Sequence, residues 1–530
     1  MPAKFLMIQG TSSSVGKSLL TAALCRIYAR RGLRVAPFKA QNMSNNAAVC
    51  ADGAEIGRAQ ALQAAAAGIP PHADMNPVLL KPEGNTRSQV IVQGRPWKTL
   101  PARAFYQHKH ELWPIITAAL DRLRADHDLI IIEGAGSPAE LNLRDGDIVN
   151  MALACHVQAP VLLVGDIDRG GIFAQLLGTL DLLEPTERAL VVGLVVNKFR
   201  GDPQLFADGI RILQERGRVP VLGVVPFLNG LRLPEEDAVA LDHLQVTSRR
   251  RFDQVFDIAV IRLPHIANFD DFDPLNAEPG VSLHYVSSRG AFGQPHAIIL
   301  PGTKNTLADL AWLKAEGLAQ VIAEQAGRGT AIVGICGGYQ MLGRRLIDPD
   351  HVESTADTID GLGLLPVETI FAWKKETCQV QAVLLDGPGW MKSLAGQPLT
   401  GYEIHMGQTR TEMPCLRINS RNGRAVSGLD GATAKDGRIW GCYLHGLFAN
   451  DAFRRAWLNS LASRGREPPV ADRAPICPPE AYAPGSPNDA PGSPVNRSLN
   501  ELADAVESAL NMQRLDELVL ATDHGLRTRD

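Results

Sequence analysis

Residues 9–18 read Gln-Gly-Thr-Ser-Ser-Ser-Val-Gly-Lys-Ser, QGTSSSVGKS. The apolar run Phe5-Leu6-Met7-Ile8 precedes them, and an amphipathic stretch carrying Leu19, Leu20, Ala23, Leu24 and Ile27 follows. Strand, glycine-rich turn and Lys-Ser at a helix start are the context of a phosphate-binding loop. Backbone N–H groups and the positive end of the helix dipole cradle phosphate there. Gly10, Thr11, Gly16, Lys17 and Ser18 are therefore read as ATP-binding, with Lys17 on the terminal phosphates and the Ser18 hydroxyl on Mg2+. Five residues separate Gly10 from Gly16, one more than the usual four. A plain Gly/Ser turn would not need both the strand before it and the helix after it.

Working outward, short apolar runs alternate with helical stretches, which predicts parallel sheets built from βαβ units. Strands are expected at 4–9, 34–38, 128–132, 160–165, 190–196 and 219–225, and in a second series at 257–263, 296–300, 330–335 and 439–444. The fold class is α/β, with two doubly wound, mostly parallel-sheet domains. An ATP-binding domain spans 1–241, a second domain 255–460, and the polar stretch 242–254 links them. Residues 464–498 hold nine prolines and few large apolar residues, too little to offset ordering entropy, and are read as a flexible insertion. Residues 499–530 open with LNELADAVESALNMQRLDELVLA, whose apolar spacing predicts one or two docked helices.

The composition is 45% hydrophobic and 21% charged with a net charge of −4. That balance gives no nucleic-acid footprint and no membrane patch, so neither partner is expected. No apolar run reaches bilayer length. Eight cysteines without paired spacing, and no export signal, point to reduced thiols and a cytoplasmic location. His108 and His110 lack zinc-ligand context and are read as solvated.

A second stretch, DLIIIEGAG (128–136), ends a buried strand in Glu133. A carboxylate at such a strand end sits beside the phosphate loop and can hold its metal. Asp52 and Glu55 are weaker metal candidates. The longer loop resembles that of dethiobiotin synthetase and its relatives, which implies Mg2+ ligation by Glu133 together with Ser18. In VVNKFRGD (195–202) the same resemblance implies that Asn197 meets the purine, although a capping asparagine fits the residues almost as well. That family uses ATP to phosphorylate a carboxylate or carbamate, turning a poor electrophile into one with a leaving group.

The nucleophile lies in the second half. AIVGICGGYQML (331–342) runs an apolar strand through Gly-Ile-Cys-Gly-Gly into a helix, the sharp turn of a nucleophile elbow. The helix N-terminus favours the Cys336 thiolate. The Gly337 N–H points where an oxyanion forms, and Gly302 in LPGTKNT (300–306) offers a second donor. RIWGCYLHGLF (438–448) carries His445 at a strand end, the best placed of 13 histidines to serve as base.

The elbow, the Pro-Gly loop and the late histidine resemble class I glutamine amidotransferase domains. This implies a Cys336 thioester with glutamine and release of ammonia. Those domains usually carry a glutamate two residues after the histidine; here that position is Leu447, so the group that orients His445 is open. Glu403 and His405 in GYEIHMG (401–407) match one branch of these domains without an assigned role. KAQNMSNNA (39–47), EIGRAQALQA (55–64), MNPVLLKP (75–82), GDIDRGGIFA (165–174) and NFDDFDPL (268–275) resemble the cobyric acid synthase family. The resemblance implies a corrinoid substrate, with glutamine as ammonia donor and ATP-dependent amidation of its b, d, e and g carboxylates, by a monomer or homodimer. The rival reading is cobyrinic acid a,c-diamide synthase. A nucleotide switch that dimerises over ATP fits less well, because it has no use for Cys336. From residues alone, Lys39, Gln41, Asn42, Asn45, Asn46, Lys81, Arg87 and Gln89 suit either a polar ligand or a solvated connector.

Overall fold

The computed structural model describes residues 3–84, 86–234, 256–354, 356–462 and 493–520. The linker 242–254, most of the Pro-rich segment and the last ten residues lie outside that range.

The first sheet has six parallel strands, ordered Val221–Pro226, Val191–Phe199, Val161–Asp166, Lys4–Gly10, Leu129–Glu133 and Val35–Phe38. Leu129–Glu133 and Val161–Asp166 are buried along their whole length, as expected when helices cover both faces of a parallel sheet. The chain order reverses beside Lys4–Gly10, and ligands of such sheets bind at that switch point, beyond the carboxyl ends of the strands. Pairing of Ile8 with Glu133 and of Gly10 with Val164 sets the phosphate loop between two flanking strand ends.

The second sheet runs Val281–Val286, Phe256–Ile261, Ala297–Leu300, Ala331–Ile335, Ile439–Cys442 and Ala432–Thr433, parallel except for the last pair. Ala331–Ile335 lies between Ala297–Leu300 and Ile439–Cys442. Cys336 is therefore flanked by the loops that leave both neighbours, the Pro-Gly loop and the segment carrying His445.

Four features depart from the sequence expectations, the first being the parallel edge strand Val281–Val286, which was not among the expected strands. An antiparallel sheet built on Glu368–Leu384, Pro398–Arg410, Leu416–Arg421 and Arg424–Asp430 packs beside the parallel sheet within the second domain. A smaller, mixed sheet (Gln41–Met43, Val78–Pro82, Arg87–Val92, Arg95–Pro101), whose first pair is parallel and the others antiparallel, fills the region read as polar loops. Their strands mix polar and apolar residues, and the weaker alternation of half-exposed strands hides them. The C-terminal helix Pro494–Ala509 begins inside the stretch read as insertion, with Ser493 as its N-cap. It and Met512–Leu520 return to the nucleotide half, packing Leu499, Leu502, Val506 and Leu515 into the core that holds Lys17–Arg30.

Candidate active sites

In the nucleotide site, helix Lys17–Arg30 starts directly after Gly16, whose φ of 101° suits glycine. Lys17 Nζ donates to the carbonyls of Ser12 at 2.8 Å and Gly136 at 2.9 Å, so the ammonium is held inside the loop. Ser18 Oγ donates to Glu133 Oε1 at 2.8 Å. The buried Glu133 carboxylate also accepts from Lys39 Nζ at 2.8 Å and Gln63 Nε2 at 2.5 Å. Burial pushes its pKa up, but the Lys39 charge and the three hydrogen bonds outweigh that and hold it below the usual range.

Ser18 and Glu133 together offer a hydroxyl and a charged carboxylate oxygen, the hard donors Mg2+ shares with phosphates and water. The residues fit the ion. Asp52 and Glu55 sit elsewhere: Asp52 caps its own turn through Ala54 N–H. Glu55 is clamped by Lys81 and Lys375, each at 2.5 Å, and these outweigh burial to hold its pKa at about 2. Asn197 donates to the Val15 carbonyl at 2.7 Å, bracing the loop from behind. Thr11 Oγ1 lies 3.2 Å from Gln175 Oε1.

In the thiol site, Cys336 has φ 52° and ψ −109°, a conformation that side-chain-bearing residues rarely adopt and that marks a strained functional turn. Its N–H donates to the Cys442 carbonyl at 2.8 Å. The flanking glycines are steric necessities: a Cβ on Gly338 would lie 2.0 Å from the Leu300 carbonyl oxygen, and one on Gly334 2.7 Å from that of Gly338. Cys336 is 5% exposed and opens on a cavity shared with Asn268, Gln340, His405 and His445. Gly337 abuts Thr303, and Gly302 lies so close to His445 that a Cβ there would be 2.8 Å from Cε1. His445 lies just past the strand Ile439–Cys442 and pairs its backbone with Tyr402.

The group that orients His445 is Asp271. His445 Nδ1 lies 2.6 Å from Asp271 Oδ2, and Asp271 Oδ1 accepts from Gly446 N–H at 2.8 Å. Burial alone lowers the His445 pKa, yet the charges of Asp271 and Cys336 and hydrogen bonds to both outweigh it and raise the value to about 10. Asp271 sits on a turn, Phe269–Phe272, inside the NFDDFDPL motif. Nothing in its spacing from His445 could have paired them. Glu403 is taken by Arg421 at 2.8 Å; the His405 ring stacks on Tyr443 with centroids 3.8 Å apart.

Of the polar residues at 39–93, Lys39 belongs to the phosphate site. Asn46 and Lys81 face the second domain, where Asn46 Oδ1 accepts from Asn268 N–H at 2.7 Å and Lys81 lines the Cys336 cavity. Among the described residues no cluster of three metal-ligating side chains occurs, the cysteines are free thiols, and no helix is long and apolar enough to cross a membrane.

Residues 6–239 match the family described as the CobQ/CobB/MinD/ParA nucleotide binding domain, and residues 257–453 the CobB/CobQ-like glutamine amidotransferase domain. The chain is 54% identical over 527 residues to the cobyric acid synthase of Chloroflexus aggregans, covering 99% of this chain and all of that one. It is 58% identical to the enzyme of Chloroflexus aurantiacus (90% and 96% covered) and 49% identical to that of Sorangium cellulosum (98% and 99%). With a phosphate loop in one half, a thiol elbow in the other, and relatives this similar along almost its whole length, the chain belongs to the cobyric acid synthase family, glutamine amidotransferases that carry a nucleotide-binding domain.

Proposed function

We propose that this protein uses ATP and glutamine to convert the b, d, e and g carboxylates of adenosylcobyrinic acid a,c-diamide to amides, giving adenosylcobyric acid. Two separate sites in one chain carry the reading: Cys336–His445–Asp271, and Lys17–Ser18–Glu133. The first suits release of ammonia, the second transfer of phosphate to oxygen.

At the thiol site, Cys336 Sγ attacks the side-chain amide carbon of glutamine as thiolate, with its proton held on His445. The carbonyl oxygen gains charge and is met by the N–H groups of Gly337 and Gly302. The C–N bond breaks as His445 gives its proton to the departing nitrogen, leaving a thioester and free ammonia. Neutral His445 then takes a proton from water, whose oxygen attacks the thioester, releasing glutamate and the thiol. Asp271 fixes the ring so that Nε2 faces sulfur throughout.

At the loop, Lys17 offsets charge on the transferring phosphoryl group. Ser18 and Glu133 would hold Mg2+, which when bound neutralises phosphate charge. A corrinoid carboxylate oxygen takes the γ-phosphoryl group, ADP leaves, and ammonia displaces phosphate from the acyl phosphate to give the amide.

Mass spectrometry of corrinoid products formed with ATP and glutamine tests the proposal. The expected result is amidation of b, d, e and g on the a,c-diamide. Amidation of a and c on cobyrinic acid instead would assign the chain to a,c-diamide synthesis.

A further inference from the structure

Ile404 and His405, neighbours on the strand Pro398–Arg410, both line the Cys336 cavity. Side chains alternate along a strand, and the two residues reach the cavity in different ways. The Ile404 side chain packs with Ala47, Val49, Leu79 and Ile91. Its carbonyl turns to the thiol and accepts the Cys336 S–H at 3.5 Å. His405 offers its ring.

That ring is fixed on two sides. Nδ1 lies 2.8 Å from the Gly407 carbonyl, which can only accept, so Nδ1 carries the hydrogen. One face stacks on Tyr443, centroids 3.8 Å apart and planes 18° apart. Tyr443 Oη in turn accepts from Gln340 Nε2 at 3.2 Å. Burial pushes the His405 pKa down and outweighs Glu403, the Gly407 carbonyl and Glu376, which act the other way. The imidazole is therefore neutral and Nε2 presents a lone pair.

Among the described residues, His405 Nε2 is the one enclosed side-chain nitrogen or oxygen lining this cavity that makes no hydrogen bond. The Gln340 amide is already taken, its nitrogen by Tyr443 and its oxygen by Thr306 Oγ1 at 2.8 Å. Buried acceptors are seldom left unmade, so one held this firmly beside a reactive thiol awaits a donor brought by the substrate. The carboxamide of glutamine brings that donor: its oxygen goes to the Gly337 and Gly302 N–H groups, and its nitrogen carries two hydrogens in need of acceptors. The charged end of the amino acid is matched by Lys81, Lys304, Lys375 and Glu353, which line the same cavity. A neutral acceptor suits the neutral end.

We propose that His405 is a specificity-determining residue whose Nε2 accepts from the carboxamide N–H of glutamine and, with the Ile404 carbonyl, selects an amide over an ester or a carboxylate at Cys336; the inference rests on the glutamine hydrolysis proposed above. Once Cys336 is a thiolate, the Ile404 carbonyl loses its S–H donor and is free for the second amide hydrogen. A carboxylate brings only acceptors, so the glutamate product sets an oxygen against the Nε2 lone pair and is disfavoured. His405 exchanges no proton; that work stays with His445.

The test compares two substrates on the full chain: L-glutamine, and L-glutamic acid γ-methyl ester, which keeps the amino-acid end and the carbonyl but has no N–H on its leaving group. His405→Asn keeps a donor for Gly407, His405→Phe keeps a ring on Tyr443, and both remove the acceptor. In each, kcat/KM for glutamine should fall roughly 10–100-fold while that for the ester changes less than about threefold. His405→Gln, whose amide oxygen can stand where Nε2 stood, should recover part of the loss. Ammonia-dependent amidation checks the fold of each variant, and if one does not fold the other decides. Equal losses on both substrates overturn the assignment, because His405 would then serve a part the two share or the fold alone. An unsubstituted chain that hydrolyses neither substrate removes the glutamine reading itself.

Discussion

Asp271 and His445 meet at 2.6 Å across 174 residues of chain, both of them buried. The carboxylate comes from a turn before the elbow strand, not from the position two residues after the histidine. Asp271→Asn keeps the shape but removes the charge that holds the imidazolium and its tautomer. Glutamine-dependent amidation should fall on the order of 10²–10⁴-fold. Ammonia-dependent amidation, assayed in parallel with ammonium chloride, should be unchanged; equal loss of both would make Asp271 merely structural.

Cys336→Ser removes the nucleophile rather than weakening it. Glutamine-dependent amidation should drop by ~10³-fold or more while the ammonia-dependent reaction persists. Failure with saturating ammonium salts as well would break the division of labour between the two sites.

Lys17→Ala should give the reverse profile. Losing the ammonium held at the Ser12 and Gly136 carbonyls should cut ATP-dependent amidation roughly 10²–10⁴-fold with either nitrogen source. Glutamine hydrolysis measured as glutamate release should remain. Near-normal amidation would disqualify the long-spaced loop as the working one.

Glu133→Gln retains an oxygen for Ser18 and removes one negative charge beside Lys39. The variant should need more Mg2+ and turn over more slowly. Trapping of the acyl phosphate with hydroxylamine should decline in step with amidation. Normal trapping with collapsed amidation would move Glu133 to the ammonia step.

The raised His445 pKa predicts a pH dependence of stability. The folded chain holds this proton more tightly than the unfolded chain, from an ordinary value of 6.5 up to about 10. The stabilisation it brings is fully present below about pH 6.5 and lost as pH rises through about 10. Melting temperatures across pH 6–11 should show a decline in the alkaline range that His445→Gln lacks. An identical slope in both would remove His445 as its source.

Much of this was written along the chain. QGTSSSVGKS and GICGG each fix their own turns, because the glycines, lysine and nucleophile act through backbone geometry within a few residues. Most of the parallel strands were visible as buried aliphatic runs, with observed limits within a few residues of those expected, but Val281–Val286, half-exposed at the edge of the second sheet, was not among them. The long antiparallel strands Glu368–Leu384 and Pro398–Arg410 were missed, since a half-exposed, bulged strand loses the alternation that marks one. The gap at Leu447 was also legible as a missing carboxylate.

What filled that gap was not legible. Asp271 reaches His445 only because Ala331–Ile335 lies between its two neighbouring strands and the Phe269–Phe272 turn packs against the Leu447–Ala449 turn that follows His445. Glu55 looked like a free acid near a phosphate loop until the hairpin of the other domain placed Lys375 against it. The C-terminal helices likewise return to the first domain. The sequence by itself determined the two local turns, the glycine-rich loop before Lys17 and the elbow at Cys336, since each is set by residues close together in the chain. Tertiary structure decided which acid orients the histidine and which carboxylate stays with Ser18, because charge pairing depends on distance in space and sequence separation carries no record of it.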